Sequence, residues 1–432
     1  MKHFLQLLSL ILFMITSSLS AQTQVSGDVS GTWDARNSPY VLTSDALVPI
    51  GDSLIVEPGV IIRSPGEFEL RVAGFLRMTA ARYTGGAGIF IEDGTVHIRE
   101  CTIDSVTNGI KVFGGHLEIR DSGLENITEN GLAFHNSASG LVQGNGIFYC
   151  GRYGIRITTS DEVVVRENYL SGNSTSTTTY PALFIDSCSP DSIYQNLIVD
   201  NHAQGIGIWA LTGTAAPQLS QNLVRGNFTG ITIVNATPVL HENIVVANFV
   251  EGNPNSGAGL YIGYPNGNPL CSGNVIAGNY YGVSIINFAS ANLGNLENAG
   301  LNDDGGNFIY ANRLNGETWN IWNDTENDIY AQNNFWLDLS PDSIDFTLHD
   351  NEEDAIAGMI LFQPVNDQLV SRMDLNGDLL VNVVDAVALV ELILTESVPS
   401  PHLFVQGDVT RDYELNILDV TRLLDHIIQV TD

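Results

Sequence analysis

Positive charge is what this 432-residue chain most lacks. It has 17 lysines and arginines against 49 aspartates and glutamates, a formal net charge of −32. Phosphate backbones are held by clustered cations, so nucleic acid is excluded as a partner class. The same acidity opposes a long uronic-acid chain unless calcium or a local basic patch compensates. Cysteine is sparse: Cys101, Cys150, Cys188 and Cys271 form no dense framework, and no His/Cys cluster accompanies them. Their disulfide state stays open. Beyond the first 21 residues no stretch reaches the ~20 apolar residues of a membrane span. Nor does any window of helical length between residues 22 and 365 show a 3.6-residue period.

What is present is repetition. A phrase of Asn, two or three apolar residues, a second Asn five positions on, then Gly-apolar-x-apolar keeps returning. Asn168 with Asn173, Asn196 with Asn201, Asn222 with Asn227, Asn243 with Asn248, Asn274 with Asn279 and Asn307 with Asn312 are successive copies. The Gly phrases begin at residues 88, 109, 131, 154, 205, 230, 259 and 282, so most intervals are 21 to 25 residues. Within each phrase apolar residues alternate with others, which is strand periodicity. One such unit is too short to bury its own apolar face, so neighbours must stack. Short strands joined by Gly/Asn bends make a parallel β-helix, with coils roughly 4.8 Å apart. Each slot then stacks on itself, and an Asn slot satisfies its buried amide against the Asn above and below. Cys101 and Cys150 fall in Asn slots and read as small, buried substitutes.

Residues 1–21 read as an export signal, with Lys2 and His3, an apolar run from Phe4 to Ile15, and Ser18-Leu19-Ser20-Ala21. The mature chain is therefore expected to be secreted or cell-surface associated, monomeric and without a membrane span.

On the repeat, the chain resembles the right-handed, pectate-lyase-like parallel β-helix proteins of bacterial secreted carbohydrate-active systems over residues 22–366. The Glu57-Pro58-Gly59 turn is similar to their first coils, and Asn334-Phe335-Trp336 through Leu361-Phe362-Gln363-Pro364 to their closing segment, with Leu337 where a Gly is usual. That resemblance implies polysaccharide binding or cleavage by a glycosidase or lyase, yet this architecture also hosts adhesins and inert stalks. The outward slots are expected to carry Phe90, Lys111, Phe113, His135, Arg156, Trp209, Thr232 and Tyr261. Lys111 and Arg156 would lie two coils apart with His135 in the coil between. Such a group beside aromatics can bind an acidic sugar or abstract a proton; the plainer reading is a solvated sheet face. Glu92 with Asp93, Asp303 with Asp304, and Asp324 with Asp328 are available for hydrolysis, but adjacent carboxylates are common in so acidic a chain. The Asn-x-Asp, Asp-Asp and His-Gly order of polygalacturonases is absent.

A different pattern occupies residues 367–432. Asp374, Asn376, Asp378, Asn382 and Asp385 place side-chain oxygens at loop positions 1, 3, 5, 9 and 12, and Asp408, Thr410, Asp412, Asn416 and Asp419 do so 34 residues later. Hard-oxygen ligands at that spacing wrap a Ca²⁺. An apolar helix pattern follows each loop, the two loop–helix repeats spanning residues 374–394 and 408–430, and no helical pattern precedes either. The duplication resembles a type I dockerin, a small all-α calcium-binding domain. The resemblance implies two Ca²⁺ ions, with the carbonyls of Leu380 and Glu414 at position 7 and water-mediated contacts from Asn382 and Asn416. It also implies a cohesin module of a scaffold protein as partner, contacted by Val383, Val384, Ile417 and Leu418 at positions 10 and 11; otherwise those pairs pack the module's own core. Position 6, usually Gly, is Leu379 and Tyr413, and a left-handed non-Gly residue costs about 1–2 kcal/mol. The expected whole is a rod with this module beyond its far end. It either handles polysaccharide or serves as a stalk whose sole specific contact is through the dockerin.

Overall fold

The computed structural model describes every residue except 1–21, 251–256, 301, 338, 369–370, 396 and 432. The export-signal reading therefore lies outside the described residues. From Thr23 onward the chain winds into a right-handed parallel β-helix. A representative coil contributes Ile110–Phe113, His116–Arg120 and Gly123–Glu125. Each strand pairs in parallel with its counterpart one coil on, Ile110 with Leu132, His116 with Ser139 and Gly123 with Gly146. The rod thus has three faces, termed first, second and third in that order. Period-2 alternation sends Ile110, Val112, Leu117, Ile119 and Leu124 inward, all without solvent exposure, into one continuous core.

Two ladders of stacked asparagines run along this core from Asn145 and Asn173 onward. One rises through Asn145, Asn168, Asn196, Asn222, Asn243, Asn274, Asn307 and Asn334. The other rises through Asn173, Asn201, Asn227, Asn248, Asn279, Asn312 and Asn320. Each rung has one geometry. Asn196 donates its backbone N–H and its Nδ2 to Asn222 Oδ1, at 3.0 and 2.9 Å, and Nδ2 also donates to the Val165 carbonyl at 3.0 Å. Cys150 N donates to Asn173 Oδ1, and Cys101 N to Ser122 Oγ, so the two cysteines do begin their ladders, buried and unpaired. The asparagines themselves do not take left-handed backbone angles; the residue before each one except Asn320 does, as at Glu167 (φ +57°), Gln195 (φ +54°), Gln221 (φ +53°) and Asp200 (φ +54°). That residue turns the corner, which leaves the Asn free to point inward.

The closing segment is more than a cap. Leu348–His349 pairs with the strand Ile321–Asp324, and Ile360–Leu361 with Ile329–Tyr330, extending the rod. Between them lies one helical turn, α1 (Pro341–Asp345), opened by Pro341. Leu337, at the position where Gly is usual, has φ +26°.

The C-terminal module holds α2 (Val383–Leu394), α3 (Pro401–Gly407) and α4 (Ile417–Thr431). α3 precedes the second acidic loop, contrary to the reading that no helix precedes either; about two turns starting at Pro401 behind its Ser400 cap show no readable period. The module does not hang beyond the rod's end. It lies side-on against the third face. From Leu197 onward the outward slots of that face turn apolar, through Leu223, Ile244, Val275 and Phe308, and these residues pack with Phe404, Val405, Tyr413 and Leu415 of the module.

Candidate functional site

The outward side of the first face carries a lengthwise strip of rings and cations. Strand register sets the columns: Arg71, Phe90, Lys111, Ala133, Arg156 and Phe184 stack in one. Glu92, Phe113 and His135 stack in the next, and Asp186 and Trp209 continue it two coils further on. His135 does lie in the coil between Lys111 and Arg156, one column aside, because Ala133 occupies their own. Phe113 and Phe90 have ring centroids 5.4 Å apart, Phe113 and His135 4.8 Å. Tyr153 stacks on Phe184 at 5.0 Å, and Phe184 meets Trp209 edge-on at 5.0 Å. The guanidinium of Arg156 lies 5.5 Å from the Tyr153 ring centre, and that of Arg152 5.6 Å from Tyr180. Thr232, read as an outward slot, is buried.

His135 is pushed down to about 4, first by burial, then by the charges of Arg156 and Lys111. Its imidazole is therefore neutral at pH 7 and can accept a proton. The three predicted residues thus share one electrostatic environment. Sequence reasoning missed Tyr153, Tyr180, Phe184 and Asp186. The tyrosines lie at the entrance to the Gly phrase, just outside the alternating slots. Phe184 and Asp186 sit in the one copy whose phrase opens with Pro181 in place of Gly.

Each candidate carboxylate pair has one member already engaged. Glu92 is ion-paired to Arg71 at 2.7 Å. Asp303 is buried, where it accepts from Asn292 and Asn298 and so ties a loop together. Asp328 accepts the Met359 N–H.

The two acidic loops share one framework. Asp374 accepts the N–H groups of Gly377, Asp378 and Leu379, and Asp408 those of Asp412 and Tyr413. Asp385 and Asp419 are fully buried and reach back to residues 375, 376 and 382, and to 410 and 416. Leu379 and Tyr413 are left-handed at φ +68° and +65°, so the sharp turn forms without Gly. Asn382 and Asn416, read as water-mediated ligands, accept N–H groups of the following helices from Val384 and Leu418 at 2.9 and 2.7 Å. They act as helix caps here. Asn382 Nδ2 also donates to the Leu380 carbonyl, and Thr410 Oγ1 to Asp419 Oδ1.

The loops differ in how their carboxylates gather. Carboxylate oxygens of Asp408, Asp412 and Asp419 lie within 4.8 Å of one another, the one such group among the described residues. Burial together with the Asp419 and Asp412 charges raises Asp408 to about 6. Mutually repelling, partly buried carboxylates fit a hard cation such as Ca²⁺.

Val383, Val384, Ile417 and Leu418 are 60%, 53%, 67% and 58% exposed. Packing the module's own core is thereby excluded; that core is Leu375, Ala386, Leu389, Val420 and Leu423.

The family described as the right handed beta helix region matches residues 77–250. Among solved structures, a single mutant of the periplasmic alginate epimerase AlgG is similar in fold, with TM-score 0.50 and 14% identity, covering 75% of this chain and 77% of the epimerase. A double mutant of the same enzyme gives TM-score 0.50 and 14% identity over 76% and 78%. No curated protein sequence matches the chain. No helix among the described residues is long and apolar enough to cross a membrane.

Proposed function

We propose that this is an exported carbohydrate-binding β-helix protein that holds an acidic polysaccharide along its first face and joins a larger assembly through its C-terminal module. The observation that supports the glycan site is the gathering of Lys111 and Arg156 on one aromatic strip of a chain whose net charge is −32, flanked by Arg71 and Arg152, which are ion-paired to Glu92 and Glu129. Rings offer stacking surface to sugars, and cations partner carboxylate or sulfate. A strip along the rod axis suits a linear polymer. If the site is catalytic, its chemistry is proton abstraction rather than hydrolysis. His135 is neutral and Lys111 and Arg156 are placed to offset charge developing on a uronate, whereas Glu92 is engaged by Arg71 and Asp303 by Asn292 and Asn298. In the module, Asp374, Asn376, Asp378 and Asp385 would hold one Ca²⁺, and Asp408, Thr410, Asp412 and Asp419 a second. An ion would fix each loop's fold and so the angle of the helix behind it. The exposed pairs Val383-Val384 and Ile417-Leu418 would then meet a cohesin.

A panel of neutral and acidic plant and algal polysaccharides, scored for binding and for product release, tests the reading. Salt-sensitive binding of acidic members is the expected outcome. Release of an unsaturated product would add lyase activity. Binding of none would leave the module as the sole specific contact, making the rod a stalk.

A further inference from the structure

Three consecutive residues of the second acidic loop reach the rod. Tyr413 lays its ring over the Cα of Gly278, whose φ of +67° turns a corner of the third face. Glu414 pairs with Arg225 at 2.9 Å. Leu415 packs in the cluster shared by rod and module. The equivalent residues of the first loop do nothing of the kind; Leu379 is 84% exposed and Leu380 65%. This explains why position 6 of the second loop is an aromatic residue held left-handed where Gly would be unstrained: the side chain is an anchor. The N–H of that same Tyr413 donates to the Asp408 carboxylate at 3.2 Å, and the preceding N–H, of Asp412, at 3.1 Å. The turn that closes around the acidic cluster therefore also aims the anchor.

We infer that the second loop is an intramolecular latch, in which holding a cation and seating the module on the rod are one coupled equilibrium. The inference rests on reading Asp408, Asp412 and Asp419 as a cation site. With the ion bound, their repulsion is neutralised, the turn is held, and Tyr413 and Glu414 stay on Gly278 and Arg225. With the ion removed, the loop opens, the anchors withdraw, and the apolar strip of Leu197, Leu223, Ile244, Val275 and Phe308 is uncovered. Coupling of this kind is reciprocal: whatever the ion adds to docking, docking adds to the ion's affinity. The first loop, with no rod contact at positions 6 and 7, lies outside the coupling.

The test alters only the rod. Arg225→Glu removes the pair to Glu414 and replaces it with repulsion. Ile244→Glu disrupts the apolar strip at an outward slot, leaving the rod core intact. Calcium is titrated into the full chain and both variants by calorimetry, and small-angle scattering is recorded with calcium and with chelator. The expected result is one of two affinities weakened about fivefold or more in each variant, the other unchanged, and a larger maximum dimension on chelation. Unchanged affinities in both variants, with one scattering profile throughout, would overturn the latch. A wild-type chain that takes up no calcium would instead overturn the reading of the loops as cation sites.

Discussion

Tyr413 and Gly278, 135 positions apart in the chain, are complementary: a Cβ on Gly278 would collide with the Tyr413 ring. The pair fixes where the C-terminal module sits. Gly278→Ala should therefore unseat Tyr413 while only mildly straining the rod, since Ala247 and Ala311 take φ +52° and +54° at the equivalent corner in neighbouring coils. Scanning calorimetry should separate a low-temperature module transition from that of the rod. A single unshifted transition would count against the contact.

The asparagine ladders are expected to dominate rod stability. Asn222→Ala leaves the backbone N–H of Asn196 without its acceptor and the Ile193 carbonyl without the Asn222 donor, while Asn196 Nδ2 keeps the Val165 and Tyr194 carbonyls. Each buried orphan costs about 1–3 kcal/mol, so the loss should be about 3 kcal/mol or more by denaturant unfolding. An exposed ladder-free position such as Asn266 should show almost none.

Calcium should slow amide exchange at residues 374–394 and 408–430, and chelator should reverse it, because the ion offsets the burial and the neighbouring Asp419 and Asp412 charges that together raise Asp408. Equal exchange under both conditions would remove the cation from the account.

His135 gives the rod a pH signature. Its folded value is about 4, below the ordinary 6.5. Between those values the unfolded chain binds more protons than the folded one. Stability should hence rise with pH across that window and fall as pH drops from 6.5 toward 4. His135→Gln should flatten this slope in unfolding midpoints measured across the range; an unaltered slope would show that His135 is not so depressed.

The rod was legible because its signals repeat. Alternating apolar residues and paired asparagines recur at a near-constant interval, so each copy corroborates the others, and Cys101 and Cys150 could be placed by their slots alone. Lys111, His135 and Arg156 were legible for the same reason. The side-on seat of the module was written less plainly. Asn-Leu-Ile-Val and Asn-Ile-Val-Val break the alternation at Leu197 and Ile244, a sign that the outward side is covered, but nothing local says by what. Tyr413 looked like a defect in a metal loop because its partner, Gly278, is near only in three dimensions. The left-handed corners at Glu167, Gln195 and Gln221 carry no residue-type signal, since the stacking of coils imposes that conformation on ordinary side chains.

The claim on which the functional reading depends is that the first face grips acidic glycan through its cations. Affinity for an anionic polysaccharide should be measured for the wild-type chain and for the triple variant Lys111→Ala, His135→Ala, Arg156→Ala. Loss of at least tenfold, about 1.4 kcal/mol, with rod stability otherwise kept, is the predicted result. Equal affinity in the two proteins would contradict it.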